Sequence, residues 1–252
     1  MLKALLLSGV ERVVNTPIGL RAFQALSRRI RPENDQALVN GNRSIVRAVD
    51  HFAEARLPAS MQGFEDLAFL FSCWRGNRSL IELDFDEAAY LFGLVRSFAA
   101  PQCVEIGRLR GGSTFLLGSA LRGGKLLSVD LHVGLGTLGT KYDQELRRAL
   151  DTLGIGSRVE LAVGDSRAYD TTGLATDVLF IDGDHSYEGA RADYEHWLPT
   201  VKPGGHIVFH DDYHGKPGVY RLMRELESDP TLVTERAPGT LAHFVKRATN
   251  GA

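Results

Sequence analysis

From Gln102 to the end of the chain, short runs rich in β-branched and apolar residues alternate with stretches of helical spacing, and this alternation leaves few folds open. Strands are expected at Gln102–Ile106, Lys125–Asp130, Arg158–Val163, Asp177–Asp182 and His206–Asp211. Helices are expected between them at Ser113–Leu121, Lys141–Leu153, a short one near Arg167–Gly173, and Tyr187–Val201. This βαβαβ order calls for a parallel sheet, because parallel neighbours need crossovers and the crossovers cover both faces. A last helix, Gly218–Ser228, precedes strands at Leu232–Glu235 and Leu241–Lys246, which suit a closing antiparallel hairpin. The expected fold class is α/β: a doubly wound, mostly parallel, seven-stranded Rossmann-like sheet.

Residues 1–99 read differently. Their spacing is mainly helical, with breaks near Asn15–Pro17, Arg31–Asn34, Leu57–Ser60 and Arg75–Arg78. Asp84 or Asp86 then opens a helix through Phe98, with Glu87 in its first turn. Two parts are therefore expected: a helical N-terminal extension over 1–99 with a substrate, lid or oligomer role, and a ligand-binding domain over 100–252. The opening MLKALLLSGVERVV suits an amphipathic helix used in packing or self-association, and a homo-oligomer is expected. Its apolar run Ala4–Leu7 is too short for a signal-peptide core, and no stretch approaches the roughly 18 apolar residues of a membrane span.

Charge narrows the partners. The 29 Lys and Arg against 31 Asp and Glu leave a net charge of −2, so no global field attracts nucleic acid or an anionic membrane. A small-molecule substrate is expected instead. Cys73 and Cys103 stand outside any CxxC or metal-ligand spacing and read as reduced thiols of a cytoplasmic protein.

In open α/β sheets ligands bind beyond the carboxyl ends of the strands, and each expected strand here ends in a group suited to that place. The first ends in Glu105-Ile106-Gly107, followed by a turn through Gly111, Gly112 and Ser113. Glycines allow close backbone approach, and Ser113 can cap the next helix. The spacing Gly-x-x-x-Gly-Gly is not the G-x-G-x-x-G of a pyrophosphate loop. An acidic Glu105 near the turn suits a ligand with a cationic centre and an amino-acid tail. Asp130 follows Gly107 by 23 residues, where a carboxylate accepts the ribose hydroxyls of an adenosine cofactor. Asp165 and Ser166 end the third strand and can meet an adenine edge or simply cap a helix.

Asp182 and the pair Asp211–Asp212 lie 29 residues apart, enough for one helical crossover, so they should sit at neighbouring strand ends. Three converging carboxylates repel unless protonated or bound to a cation, and oxygen ligands suit Mg²⁺, Ca²⁺ or Mn²⁺. His185, three residues past Asp182, can accept a substrate proton, with His210 and His214 as competitors at the same rim and Tyr213 on the substrate side.

Taken together, Glu105 to Thr114, Ser128-Val129-Asp130, Phe180 to Tyr187, Lys202-Pro203-Gly204-Gly205 and Phe209-His210-Asp211-Asp212 resemble the class I S-adenosylmethionine-dependent methyltransferases. The resemblance is narrower to metal-dependent O-methyltransferases of sugar and macrolide hydroxyls, relatives of the catechol-type enzymes. It covers roughly Gln102 to Lys246. It implies S-adenosylmethionine and a divalent metal, Mg²⁺, as cofactors. By position, Glu105, Gly107, Gly111, Ser113, Asp130, Asp165 and Ser166 match cofactor contacts. Asp182, Asp211 and Asp212 match metal ligands, and His185 matches the general base. Catechol-type relatives usually carry Asp-Asn where this chain has Asp211-Asp212, and many use a lysine base, so both departures favour the sugar-type branch.

The implied chemistry is transfer of a methyl group to a hydroxyl, in a site that a lid at Leu131–Gly139 or the N-terminal helices would close. An NAD-dependent oxidoreductase lacks support, since both the dinucleotide loop and a Tyr-x-x-x-Lys pattern at Tyr187 are missing. A catechol-type enzyme, a non-catalytic cofactor-binding module and a hydroxylase using His185 and His210 remain open.

Overall fold

The computed structural model describes residues 52–55, 57–71, 80–133 and 135–248. The expectations for the N-terminal amphipathic helix, Cys73, Gly134 and the breaks near Asn15–Pro17, Arg31–Asn34 and Arg75–Arg78 lie outside them.

All seven expected strands are present: β1 (Gln102–Ile106), β2 (Lys125–Asp130), β3 (Val159–Val163), β4 (Thr176–Ile181), β5 (Val201–Phe209), β6 (Leu232–Glu235) and β7 (Ala242–Lys246). They form one sheet in the order β3-β2-β1-β4-β5-β7-β6. The first five run parallel, and β7 inserts antiparallel between β5 and β6. The order reverses between β1 and β4, which is the crevice where such sheets bind ligands. Register levels the strand ends there: Ile106 pairs with Val129 on one side and Ile181 on the other, and Ile181 pairs with Phe209.

The helices are α1 (Phe85–Ser97), α2 (Gly112–Ala120), α3 (Thr137–Thr152), α4 (Tyr187–Trp197) and α5 (Pro217–Leu226). Asp84 is the N-cap of α1 in a capping box with Glu87. Two boundaries differ from expectation. The stretch near Arg167–Gly173 holds a single 3-10 turn, Ser166–Ala168. Helix α4 stops at Trp197, and a turn through Pro199 leads into β5 at Val201, earlier than the apolar pattern suggests. There Gly204, at φ +77°, sits beside a register shift between β4 and β5. No described helix is long and apolar enough to cross a membrane.

Alternation along each strand feeds two cores. Cys103, Leu126, Val178, Phe180 and Val208 face a cluster with α1, α2 and α3, whereas Val104, Leu127, Leu179, Ile181, Ile207 and Phe209 face one with α4 and α5. Trp197 and Met223 anchor the second cluster. The first also holds Phe52, Leu67, Phe69, Leu80 and Ile81, so the described residues before α1 share their core with the sheet. Phe115 of α2 is the hub, with ring centroids 5.1 Å from Phe52 and 5.5 Å from Phe69. Truncating this fully buried ring should cost about 3–5 kcal/mol. Phe115→Ala is expected to lower the urea midpoint accordingly, and an unchanged midpoint would show that the preceding segment does not depend on this core.

Candidate active site

The turn after β1 is built on Gly107. Its φ of +85° belongs to the left-handed region, and a Cβ there would collide with the backbone carbonyl of Asp182. The Gly107 N–H donates to Val129 O at 2.9 Å, and Asp182 N–H donates to Ile106 O at 2.8 Å. The ends of β1, β2 and β4 are thereby tied together. Gly111, also left-handed at φ +88°, is the N-cap of α2.

Below this turn a buried arginine does work that the sequence reading missed. Arg108 grips Asp143 of α3 in a fork, with Nε and Nη2 at 2.7 and 2.6 Å, and its Nη1 donates to Ser128 O and Ala162 O. One guanidinium thus links β2, β3 and α3 beneath the pocket floor. A lone arginine in a Gly-rich turn carries no signal of this in the sequence.

Asp130 ends β2 with its carboxylate already oriented. Its Oδ2 accepts from Arg108 N and Leu109 N at 2.7 and 3.0 Å, and its Oδ1 accepts from His132 N at 2.5 Å. Leu109 and His132 both take positive φ to present these groups. Asp130, Gly107 and Ser113 line a cavity of about 800 Å³ that opens at the strand ends.

Glu105 is placed differently from the expectation. It is fully buried and does not line the cavity. Its Oε2 accepts from Thr114 Oγ1 and Ser128 Oγ at 2.5 and 2.6 Å. Burial pushes its carboxyl up to about 7, against the lowering by hydrogen bonds from Ser113, Ser128 and Thr114. Glu105 points along β1 into the layer between strand and α2, so it supports the turn from beneath. Gly111 likewise lies behind the cavity wall, packed on Leu146.

At the end of β3, Asp165 caps the 3-10 turn and is gripped by Arg167, whose Nε and Nη2 lie 2.8 and 2.9 Å from its two oxygens. Arg167 holds the Asp165 carboxyl below its ordinary range. Ser166 turns inward and donates its hydroxyl to Asp193 of α4. Asp165, Ser166 and Asp193 all line the same cavity.

The reactive end lies after β4 and β5. Asp182, His185 and Asp211 place ligand atoms within 4.8 Å of one another, the one such group among the described residues. His185 Nε2 is 2.9 Å from Asp211 Oδ2 and 3.5 Å from Asp182 Oδ1, yet it is buried and in hydrogen-bonding geometry with neither. The two carboxylates, Asp182 foremost, raise His185 to about 9. Burial would raise Asp182 itself, but the close His185 and His210 imidazoles outweigh it and lower the carboxyl.

Asp212 departs from the expected trio. Asp211 adopts φ +67°, and this left-handed step turns the next side chain away from the cavity. Asp212 Oδ2 instead accepts from Arg224 Nη2 of α5 at 2.6 Å, and its N–H donates to Thr240 O. The structure thus brings His185 into the place foreseen for Asp212. Of the competing histidines, His210 borders the cavity but is buried and paired with Asp182 and Glu87, and His214 packs tilted against Tyr220 with ring centroids 4.4 Å apart. Tyr213 lines the cavity, as does Lys216, whose Nζ is 3.6 Å from Asp211 Oδ2.

Glu87, in the first turn of α1, accepts from Thr240 N and Oγ1 and from Asp84 N, and it lies 3.4 Å from His210 Nε2. Burial raises Glu87, but the hydrogen bond to His210, those from the two backbones and the His210 charge prevail and hold it at about 2. Because its folded value lies below the unfolded one, its contribution is complete above the ordinary carboxylate range and is lost as pH falls through about 2. Glu87→Gln should therefore destabilise by about 1–3 kcal/mol near neutrality. In urea titrations its deficit should shrink as pH falls from 4.5 towards 2; a deficit independent of pH would contradict the ionised state of Glu87.

Residues 104–212 match the family model described as a methyltransferase domain. Sequence relatives match over short stretches. An uncharacterized protein of Acanthamoeba polyphaga mimivirus is 39% identical over 62 residues, 24% of this chain and 28% of that protein. An uncharacterized protein of Sinorhizobium fredii is 37% identical over 60 residues, 23% of this chain and 6% of that protein. Among solved structures, the O-methyltransferase TomG of Streptomyces achromogenes superposes with TM-score 0.54 at 19% identity, covering 68% of this chain and 83% of that one. An O-methyltransferase of Bacillus cereus does so with TM-score 0.53 at 21% identity, covering 66% and 83%. The TDP-rhamnose 3'-O-methyltransferase of calicheamicin biosynthesis gives 0.51 at 19%, covering 63% and 76%. At these identities the structures share the fold.

Proposed function

We propose that the chain, whose residues 104–212 match a methyltransferase-domain model, moves the methyl group of S-adenosylmethionine to a hydroxyl oxygen of a small molecule, in particular a sugar or glycoside, with the help of a divalent cation. The observation that carries this reading is convergence: Gly107, Asp130, Asp165, Ser166 and the Asp182–His185–Asp211 group come from five strand ends and line one cavity. In this reading 100–252 is the catalytic domain and 1–99 its extension, and Leu80, Glu82 and Leu83 in the cavity wall support a substrate or lid role for that extension.

Bound S-adenosylmethionine supplies a methyl carbon activated by positive sulfur, and a bound cation supplies Lewis acidity towards the acceptor hydroxyl. The chain's own residues do the rest. Asp130, held by three backbone N–H groups, accepts from ribose hydroxyls without reorganising. Gly107 admits close backbone approach, and Glu105 stiffens the turn from beneath through Thr114 and Ser128. Asp182 and Asp211 hold the cation. Two carboxylates converging from neighbouring strand ends are the observation that fits a cation here, and their oxygens suit Mg²⁺ or Mn²⁺. Asp212 joins only if it leaves Arg224.

His185 is the proton acceptor in this reading. It can take a proton only after losing its own, and a cation on Asp182 and Asp211 cancels the negative charge that holds that proton. The histidine in place of the lysine base of catechol-type relatives, and the similarity to a TDP-rhamnose methyltransferase, support a sugar hydroxyl. One observation favours a catechol-type acceptor instead: Lys216 brings an ammonium to the same carboxylates from the loop before α5.

Calorimetry should show binding of S-adenosylmethionine and none of NAD, and Asp130→Ala should weaken the cofactor at least tenfold; NAD binding would overturn the assignment. In a transfer assay over sugar, glycoside and catechol panels, EDTA should abolish turnover, and full activity in EDTA would remove the cation from the scheme. His185→Ala should lower kcat by about 10²–10⁴ with Mn²⁺ and cofactor affinities unchanged. Lost Mn²⁺ affinity in that variant would make His185 a ligand and not the base.

A further inference from the structure

The pocket floor after β3 carries a pair of side chains whose hydrogen-bond direction is set. Ser166 Oγ lies 2.5 Å from Asp193 Oδ1. Asp193 sits on α4, only 3% exposed, and borders the cavity with Ser166 and Gly183. A carboxylate can only accept, so the single hydroxyl proton of Ser166 is committed to Asp193 and its lone pairs are left for the cavity.

The turn is fixed in this orientation by α4. One turn beyond Asp193, the Trp197 indole donates to Ser166 O at 3.2 Å, Tyr169 stacks on Trp197 at 5.6 Å, and His196 Nε2 lies 3.0 Å from Tyr169 O. Ser166 therefore cannot rotate its backbone to change partners without breaking a buried indole contact. Asp165, the other candidate for meeting a purine edge, has both oxygens engaged by Arg167, through Nε, Nη2 and the backbone N–H. The acceptor whose direction is fixed by a buried partner here is thus Ser166, whereas Asp165 is held by Arg167 at the more exposed rim.

Resting on the reading that the adenine of the cofactor meets the turn after β3, we infer that Asp193 is a positioning residue: by holding Ser166 as an acceptor it selects a 6-amino purine over a 6-oxo purine. The exocyclic amine donates and finds a lone pair, while a 6-oxo group accepts and would face another acceptor with no proton between them. An unmade hydrogen bond to a buried group of this kind corresponds to about tenfold or more in affinity. In Asp193→Asn the amide NH₂ can donate to Ser166 Oγ, which frees the hydroxyl proton to point into the cavity and removes the preference.

The test is calorimetric titration of the full chain with S-adenosylhomocysteine and with S-inosylhomocysteine, for wild type, Asp193→Asn and Ser166→Ala. Wild type is expected to favour the adenosyl ligand about tenfold or more. Asp193→Asn should erase that ratio mainly by gaining affinity for the inosyl ligand, a change that a merely structural role would not produce. Ser166→Ala, which keeps the fold should Asp193→Asn be unstable, should erase it by losing affinity for the adenosyl ligand. A ratio near one in wild type, or a full ratio retained in both variants, overturns the assignment. A wild-type chain that binds neither ligand overturns the proposed function and the assignment with it.

Discussion

The approach of Gly107 to the carbonyl of Asp182 sets the geometry of every other group at the strand ends. It lets the chain leave β1 and turn directly over the end of β4. Any side chain there would part β1 from β4, and with them the two halves of the cavity. On one side stand Asp130 and the Ser166 turn; on the other stand Asp182, His185 and Asp211. The backbone bonds Gly107 N–Val129 O and Asp182 N–Ile106 O draw those halves level.

The carboxylates crowded beyond this junction are tolerable because cations alternate with them. Glu87, His210, Asp182, His185, Asp211 and Lys216 follow one another at 3.4, 3.2, 3.5, 2.9 and 3.6 Å. Each charge has an opposite neighbour, so acids that are half-buried can stay ionised. The row starts on α1 and ends before α5, which joins the segment ahead of the sheet to the reactive end of the cavity.

The sheet was legible because short apolar runs alternating with crossover helices leave few alternatives, and a strand is found at each of the seven apolar runs. The boundaries that moved, at β5 and at the turn after β3, are places where Pro199 and a short polar run decide locally between helix and turn. Residues at strand ends were legible as a set, since position alone aims them at the crevice. Their individual directions were not. Asp212 lies one residue past Asp211, and only the left-handed φ of Asp211 sends the two apart. Glu105 reads as a ligand contact, yet strand alternation buries it. Arg108, Asp193 and Glu87 were invisible as site residues because their partners lie 35, 27 and 153 positions away, beyond the reach of any local pattern.

The bond from Glu87 to Thr240 has a consequence for how the molecule comes together. It closes a loop of 153 residues, so it cannot form until the chain has delivered the turn between β6 and β7. Long-range closures of this kind are entropically late events. During synthesis Glu87 has only its local capping-box partner Asp84 while β1 to β5 assemble around a sheet whose far edge is missing. The reactive end of the cavity is therefore among the last parts of the protein to mature, completed by the insertion of β7 rather than by the strands that carry its acids.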